Sequence, residues 1–191
     1  MLDRLRGRLE AYLGLVGEWF SQVEESPTVW TIVGLAFSAL SGIAYSFAGN
    51  RRQLVGGVLI LVAGWFDIVD GAVARVTGKV SKRGAFLDST LDRVAEVAIF
   101  LGILVGGLAP PPLVLSALSL SFLVSYTRAK GDALGVRLSG VGVGERSERL
   151  LILAVASMVG YTWWGVVLVA CAAGYTFLER TYRASKALGQ P

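Results

Sequence analysis

Histidine, cysteine and charged residues are all scarce in this sequence. Its 191 residues include no histidine and one cysteine, and only 17% of them are charged, against about 25% in typical soluble domains. The lone Cys171 leaves no disulfide framework and suggests no redox role, and the lack of histidine disfavours zinc and copper chemistry. With 54% hydrophobic residues, the composition indicates an integral membrane protein.

Apolar stretches near the ~20 residues needed to cross a bilayer recur along the chain. We expect an all-α membrane fold in which residues 26–191 form one domain of six transmembrane helices. A glycine-rich stretch, 140–144, follows no strand and is interpreted as a flexible linker. The predicted spans cover residues 28–47, 54 into the aspartate-rich segment near 70, 86–108, 113–126, 150–161 and 163–177.

Residues 1–25 have a different pattern. Apolar residues such as Leu9, Leu13 and Phe20 recur at steps of three and four, and arginines and glutamates occupy much of the remaining surface. This spacing predicts an amphipathic helix that lies in the membrane interface and ends before Pro27.

Basic residues assign the orientation. Six spans place both termini on one side of the membrane, and all but two of the 18 lysines and arginines fall on that side, the exceptions being Arg51 and Arg52. Because loops rich in lysine and arginine stay in the cytoplasm, we expect a multi-pass protein of the cell membrane. Both termini and the aspartate-rich segment are expected on the cytoplasmic side.

Four aspartates lie in or beside the apolar runs, although an aspartate at the centre of a membrane helix costs roughly 2.5–3.5 kcal/mol. Asp67 and Asp70 are three residues apart and Asp88 and Asp92 are four apart, so each pair lies on one helix face. A turn between the helices can bring the pairs together. Carboxylate oxygens select hard ions such as Mg²⁺, Mn²⁺ or Ca²⁺, which predicts a metal site. The alternative is ion pairing with Lys79, Lys82, Arg83 and Arg93.

The same segment carries a recognisable motif, and small residues near the aspartates leave room for a ligand. The motif resembles the signature of the CDP-alcohol phosphotransferase family at every defining position. Six spans and an interfacial N-terminal helix are also similar to that family, so the resemblance covers most of the chain. The segment reads Asp67-x₂-Asp70-Gly71-x₂-Ala74-Arg75-x₈-Gly84-x₃-Asp88-x₃-Asp92.

The resemblance implies an enzyme that displaces CMP from a CDP-linked lipid with an alcohol, using two divalent ions, Mg²⁺ or Mn²⁺. By this analogy all four aspartates bind metal, and Asp92 also takes the proton from the attacking hydroxyl. For Thr77 and Ser81, a role at a helix end or turn is an equal alternative. Thr28 stands where many relatives have asparagine, which puts a nucleotide contact there in doubt. The implied CDP-lipid site comprises Asp67, Asp70, Gly71, Ala74, Arg75, Thr77, Ser81 and Gly84.

Two later segments bear on the acceptor. Residues 144–150, "GERSERL", resemble an "ERPERL" element of inositol-phosphate-using members, with serine in place of proline, and residues 126–135 resemble the basic helix end that precedes it. Arginine binds phosphate bidentately, so an acceptor with its own phosphate would suit these segments. The alternative is that they serve only the positive-inside signal. The implied phosphate-binding residues are Arg128, Lys130, Arg146, Arg149 and Arg180.

The expected reaction transfers a phosphatidyl or archaetidyl group from CDP-diacylglycerol or CDP-archaeol to the hydroxyl of inositol phosphate, and it releases CMP. The composition is most similar to archaeal members of the family. Glycerol phosphate is the competing acceptor, and an intramembrane prenyltransferase or a divalent-cation transporter are the alternatives outside the family. Expected partners are the CDP-lipid, a phosphorylated polyol and membrane lipid, but no nucleic acid. The pair Gly102 and Gly106 has a spacing that permits close helix packing within or between protomers, and the second alternative hints at a homodimer.

Overall fold

A computed structural model describes residues 2–47, 49 and 51–189, with side chains from residue 12 onward. Residues 1 and 191, the outer limits of the two predicted regions, lie outside the described residues. The side-chain contacts of Leu9 also lie outside them. The fold is all-helical, as predicted. Its seven helices in the described residues are α1 (Leu2–Val23), α2 (Pro27–Ser46), α3 (Arg52–Val76), α4 (Lys82–Val105), α5 (Pro111–Ala133), α6 (Arg146–Met158) and α7 (Thr162–Leu188).

Four helices, α2, α3, α5 and α7, are long and apolar enough to cross a membrane. The other two predicted spans correspond to α4 and α6. Five charged residues lie in the first half of α4, and α6 has 13 residues, about 20 Å at 1.5 Å per residue. Helices α5 and α7 continue past residues 126 and 177, the ends of the predicted fourth and sixth spans, to Ala133 and Leu188.

The helix boundaries follow local chemistry. Pro27 and Pro111 occupy the first turns of α2 and α5, where a missing N–H costs nothing. The turn between α3 and α4 passes through Gly78 at φ +66°, a conformation that favours glycine. Ser81 then caps α4 by accepting a hydrogen bond from the Gly84 amide at 3.0 Å. This short turn joins the two aspartate-bearing helices, and both of them pack against α2.

Helix α2 packs against both α3 and α4, while α3 also contacts α6, and α7 contacts α5 and α6. Glycines allow the close approach of α2 and α4, because a Cβ at Gly102 would overlap the Gly42 carbonyl and one at Gly106 would overlap the Tyr45 carbonyl. The pair that hinted at a homodimer is therefore used for packing within the protomer. The homodimer stays a prediction, now without that support.

Helix α1 packs on α3 where Gly17 meets the Ala72 carbonyl. Phe20 joins a small apolar cluster with Trp30 and Phe66. The opposite surface of α1 leaves large apolar side chains exposed: Tyr12, Leu15, Trp19 and Val23. Apolar residues on both surfaces are consistent with the predicted interfacial helix.

The glycine-rich stretch 140–144 is not a free linker. A Cβ at Gly144 would lie 2.6 Å from the Ala172 carbonyl oxygen, and one at Gly142 would lie 2.5 Å from the Thr176 side chain. These glycines let the segment pack directly on α7 immediately before α6 begins. The segment therefore fixes the start of α6 relative to α7.

Candidate active site

The two aspartate pairs meet where α3 and α4 both pack against α2. One carboxylate oxygen from each of Asp67, Asp70 and Asp88 lies within 4.8 Å of the others. Asp92 is one helical turn beyond Asp88 on the same face of α4. The turn at residues 77–81 thus brings together residues that are up to 25 positions apart in the sequence, as the spacing predicted.

Two side chains from other helices contact these carboxylates. Thr31 on α2 donates its hydroxyl to Asp70 Oδ2 at 2.7 Å. Arg146, the first residue of α6, places Nη1 3.0 Å from Asp67 Oδ1 and 2.8 Å from Asp92 Oδ1. Arg93 Nη1 lies 3.3 Å from the other Asp92 oxygen. Four helices therefore converge on one acidic site.

The donor set fits a hard divalent cation. Clustered carboxylates repel one another unless a cation joins them, and three oxygens within 4.8 Å are of the type that Mg²⁺ and Mn²⁺ prefer. The chain has no histidine, and its cysteine lies exposed on α7. The chemistry of the site thus favours magnesium or manganese over zinc or copper.

A cavity of about 270 Å³ opens beside the aspartates, between the start of α2 and the α3–α4 turn. Most of the residues predicted to bind the CDP-lipid line it: Asp70, Gly71, Ala74, Arg75, Ser81 and Gly84. Asp67 lies next to it in the aspartate cluster. Thr77 does not line it. The Thr77 hydroxyl donates to the Val73 carbonyl at 2.8 Å, which matches the alternative role at a helix end.

The cavity also has lining residues that the sequence reasoning did not assign. Thr28 and Thr31 contribute from α2, and Lys79 and Val80 from the turn. Thr31 is one helical turn beyond Pro27, so it lies on the same helix face as Pro27. The resemblance of Pro27-Thr28 to the Pro-Asn pair of many relatives was the sequence signal that could have identified it. Thr28 reaches the cavity even though it replaces the asparagine of many relatives.

Lys79 connects this cavity to the N-terminal helix. Its ammonium lies 2.8 Å from Glu25 Oε2, and this contact holds the pKa of Glu25 below its ordinary value. Both side chains are exposed, so the pair contributes little to stability. Its effect is to tie the α1–α2 connection to the rim of the cavity.

The five residues predicted to bind an acceptor phosphate occupy different environments. Arg146 is in the aspartate site, and Arg128 and Lys130 are exposed near the end of α5. Arg149 and Arg180 are 1% and 2% exposed and bond to the protein itself. For both, the phosphate-binding role stays a prediction.

The two buried arginines hold the segment that leads into α6. Arg149 donates to Glu96 on α4 and to the Gly144 carbonyl. Arg180 donates to the carbonyls of Val141 and Val124 at 3.0 and 3.1 Å and to Glu145 at 3.1 Å. The sequence reasoning missed Glu96, although a glutamate within the apolar half of α4, four residues after Asp92, was a visible signal.

An apolar groove reaches the site from the opposite side of α3. It has a volume of about 290 Å³ and lies between α3 and α6. Asp67 and Arg146 close its polar end, and the rest is lined by Ile60, Leu61, Gly64, Trp65, Ile68, Ser147, Leu150 and Leu151. The aspartate site thus opens both to a mixed polar cavity and to an apolar groove.

Comparison with known proteins agrees with this geometry. A family model described as CDP-alcohol phosphatidyltransferase matches residues 25–178. The chain is 35% identical over 188 residues to the archaetidylinositol phosphate synthase of Pyrococcus horikoshii, and the match covers 98% of each protein.

The fold is similar to that of Mycobacterium tuberculosis phosphatidylinositol phosphate synthase, at 28% identity. The structure of that enzyme with CDP-DAG bound gives a TM-score of 0.76 and covers 91% of this chain and 93% of that one. Its complex with manganese and citrate gives a TM-score of 0.78 and covers 90% and 88%. The family match spans most of the chain, the sequence similarity runs along its whole length, and the signature aspartates meet in one site. This protein therefore belongs to the CDP-alcohol phosphatidyltransferase family of enzymes.

Proposed function

We propose that this enzyme transfers the archaetidyl or phosphatidyl group of a CDP-lipid to the hydroxyl of inositol phosphate and releases CMP. One observation supports the phosphorylated acceptor most directly: Arg146 lies within 3.0 Å of both Asp67 and Asp92. A guanidinium is thereby placed at the carboxylates where the reaction occurs. The similarity to the archaetidylinositol phosphate synthase of Pyrococcus horikoshii, over 98% of each protein, supports inositol phosphate and archaeol as first choices.

In this proposal Asp67, Asp70 and Asp88 hold two Mg²⁺ or Mn²⁺ ions together with Asp92. When bound, the ions neutralise the diphosphate and the departing CMP. Thr31 fixes the Asp70 carboxylate through its 2.7 Å hydrogen bond. The manganese complex of the Mycobacterium tuberculosis enzyme supports this choice of metal.

Asp92 is the proposed general base. A carboxylate within hydrogen-bond reach of the acceptor hydroxyl can take its proton as the hydroxyl attacks the lipid-bearing phosphate. Arg146 and Arg93 each contact a different oxygen of Asp92, so the carboxylate is held from two sides. The proposed base is therefore in direct contact with the guanidinium that would receive the acceptor.

The 270 Å³ cavity is the proposed site of the CDP head group. Gly71, Ala74 and Gly84 leave room for the cytidine, and Arg75 and Lys79 are available to the phosphates. The apolar groove between α3 and α6 is the proposed site of a lipid chain, because its polar end is at Asp67. Apolar contacts of this kind do not distinguish diacylglycerol from archaeol.

The acceptor phosphate is proposed to bind Arg146. Arg128 and Lys130, exposed near the end of α5, are proposed to add positive charge on the cytoplasmic side. Arg149 and Arg180 complete the predicted set, and their buried contacts maintain the shape of the 136–145 segment. Glycerol phosphate would use the same charges and is the competing acceptor.

We also propose that α2 to α7 all cross the membrane as one domain over residues 26–191, with the interfacial helix over 1–25. Helix α4 crosses because its charged half belongs to the site and its second half is apolar. The distribution of lysine and arginine supports a cytoplasmic location for the site and both termini. The proposed assembly is a homodimer.

The purified protein should be assayed for CMP release with CDP-archaeol and CDP-diacylglycerol, each against inositol phosphate, glycerol phosphate and free inositol. We expect CMP release to depend on Mg²⁺ or Mn²⁺, to require a phosphorylated acceptor and to be fastest with inositol phosphate. Activity in excess EDTA, or equal rates with free inositol, would contradict the proposal. Mg²⁺ uptake into protein-containing liposomes would favour the transporter instead, and release of diphosphate from a prenyl diphosphate would favour a prenyltransferase.

A further inference from the structure

A fully buried ion pair joins α4 to α6 one helical turn from the acidic site. Glu96 is 0% exposed and Arg149 is 1% exposed. Arg149 donates to Glu96 Oε1 from Nη2 at 2.6 Å and from Nε at 3.1 Å. Neither the proposed metal site nor the proposed CDP-lipid site includes Glu96.

This pair is in register with the contact that forms the site. Glu96 follows Asp92 by four residues on α4, and Arg149 follows Arg146 by three residues on α6, so each pair of residues shares a helix face. Arg146 contacts Asp92 at 2.8 Å, and one turn deeper Arg149 contacts Glu96. The two ion pairs therefore run side by side between the same two helices.

Arg149 also holds the beginning of α6. Its Nη1 donates to the Gly144 carbonyl at 2.6 Å, two residues before α6 starts. Glu145 and Glu148 form a capping box at this helix start, which sets the direction of the first turn. The Arg149 guanidinium thus links α4 to the loop residues immediately before Arg146, where α6 begins.

The geometry of the pair is not that of an interaction optimised for stability. Both hydrogen bonds from Arg149 to Glu96 end on the same carboxylate oxygen, and among the described residues Glu96 Oε2 has no hydrogen-bond partner. Burying two charges is costly, and well-packed apolar residues often replace such pairs without loss of stability. A role in fixing the position of neighbouring groups accounts for a charge at this depth.

We propose that Glu96 is a positioning residue for the acceptor site. By holding Arg149 it fixes the first turn of α6 against α4, and so keeps the Arg146 guanidinium beside Asp92. This inference rests on the proposed function, in which Arg146 receives the phosphate of the acceptor. It assigns no contact between Glu96 and any substrate.

The test compares Glu96→Gln with wild type in detergent, with inositol phosphate and CDP-archaeol varied separately. We expect KM for inositol phosphate to rise about ten- to hundredfold, the change expected when a charge-assisted hydrogen bond is misaligned. KM for CDP-archaeol and the affinity for Mn²⁺ should stay within about twofold of wild type, because Asp67, Asp70 and Asp88 form no hydrogen bond with Glu96 or Arg149 in the described structure. Glu96→Asp keeps the charge and should show a smaller rise in KM for inositol phosphate.

Glu179→Gln is the matched control, since Glu179 pairs with Arg183 on the cytoplasmic end of α7 and should leave every parameter unchanged. An unchanged or lowered KM for inositol phosphate in Glu96→Gln would overturn the inference, and a lowered value would mean that Glu96 withholds Arg149 from the phosphate. Equal rises in both KM values together with a fall in Mn²⁺ affinity would indicate a purely structural role and would also overturn the inference. If Glu96→Gln does not fold, the same KM comparison on Glu96→Asp decides. Wild-type protein that releases no CMP with inositol phosphate would overturn the proposed function instead.

Discussion

Arg146 Nη1 lies 2.8 Å from Asp92 Oδ1 and 3.0 Å from Asp67 Oδ1. These contacts connect the first residue of α6 to both aspartate-bearing helices. Arg146 is 79 residues from Asp67 in the sequence, yet its side chain completes the same acidic site. The arginine proposed to bind the acceptor and the predicted metal ligands are therefore parts of one arrangement, and each can be tested separately.

Asp67→Asn or Asp88→Asn should abolish CMP release and sharply weaken Mn²⁺ binding, because either change removes one of the three carboxylates that lie within 4.8 Å of one another. Mn²⁺ binding can be measured by electron paramagnetic resonance of the purified variants. Asp132→Asn, an exposed aspartate outside the cluster, is the matched control. Wild-type Mn²⁺ affinity in Asp88→Asn would exclude that residue as a ligand.

Thr31→Val should weaken Mn²⁺ binding by on the order of tenfold, the range known for groups that orient metal ligands. Valine has nearly the shape of threonine but cannot donate the 2.7 Å hydrogen bond to Asp70. Thr181→Val, at an exposed position whose hydroxyl bonds only within its own helix, should be silent. Equal Mn²⁺ affinities in the two variants would mean that Asp70 needs no support from α2.

Asp92→Asn should lower kcat by about 10²–10⁴-fold, the usual contribution of a general base. KM for the CDP-lipid should change much less, because the cavity for the head group is lined by other residues. Steady-state kinetics with each substrate varied in turn separate the two effects. A kcat near that of wild type would mean that another group accepts the proton.

Arg146→Ala should raise KM for inositol phosphate about ten- to hundredfold, since a charge-assisted hydrogen bond is worth roughly 1.5–3 kcal/mol. Arg146→Lys should restore only part of this, because lysine lacks the planar fork of donors. The control is Arg51→Ala, which lies at the other end of the helices and should have no effect. A wild-type KM in Arg146→Ala would leave this arginine with a role in topology alone.

Gly102→Ala should destabilise the fold by about 1–3 kcal/mol, the usual cost of overpacking. The new Cβ would overlap the Gly42 carbonyl and push α4 away from α2. Gly64→Ala is the matched control, because nothing lies within 4 Å of a Cβ there. Thermal unfolding in detergent compares the two, and equal midpoints would contradict the packing described for α2 and α4.

The sequence by itself determined the class of fold and the principal chemistry. Long apolar runs have no stable alternative to helices in a bilayer, so the all-helical fold followed from composition. The spacing of Asp67, Asp70, Asp88 and Asp92 fixed their helix faces, since the periodicity of a helix is set by local geometry. A short turn then left few ways to arrange the two pairs, and the carboxylate cluster could be foreseen.

Only the tertiary structure decided how the distant residues are used. Arg146, Arg149 and Arg180 look alike in the sequence, but one lies at the aspartates and two are buried against carbonyls and carboxylates. Gly102 and Gly106 likewise proved to pack against α2 within the chain. The partner of a long side chain or of a small-residue face depends on which helices become neighbours, and that is set by packing of the whole molecule. The spacing of residues along the sequence therefore does not predict which helices become neighbours.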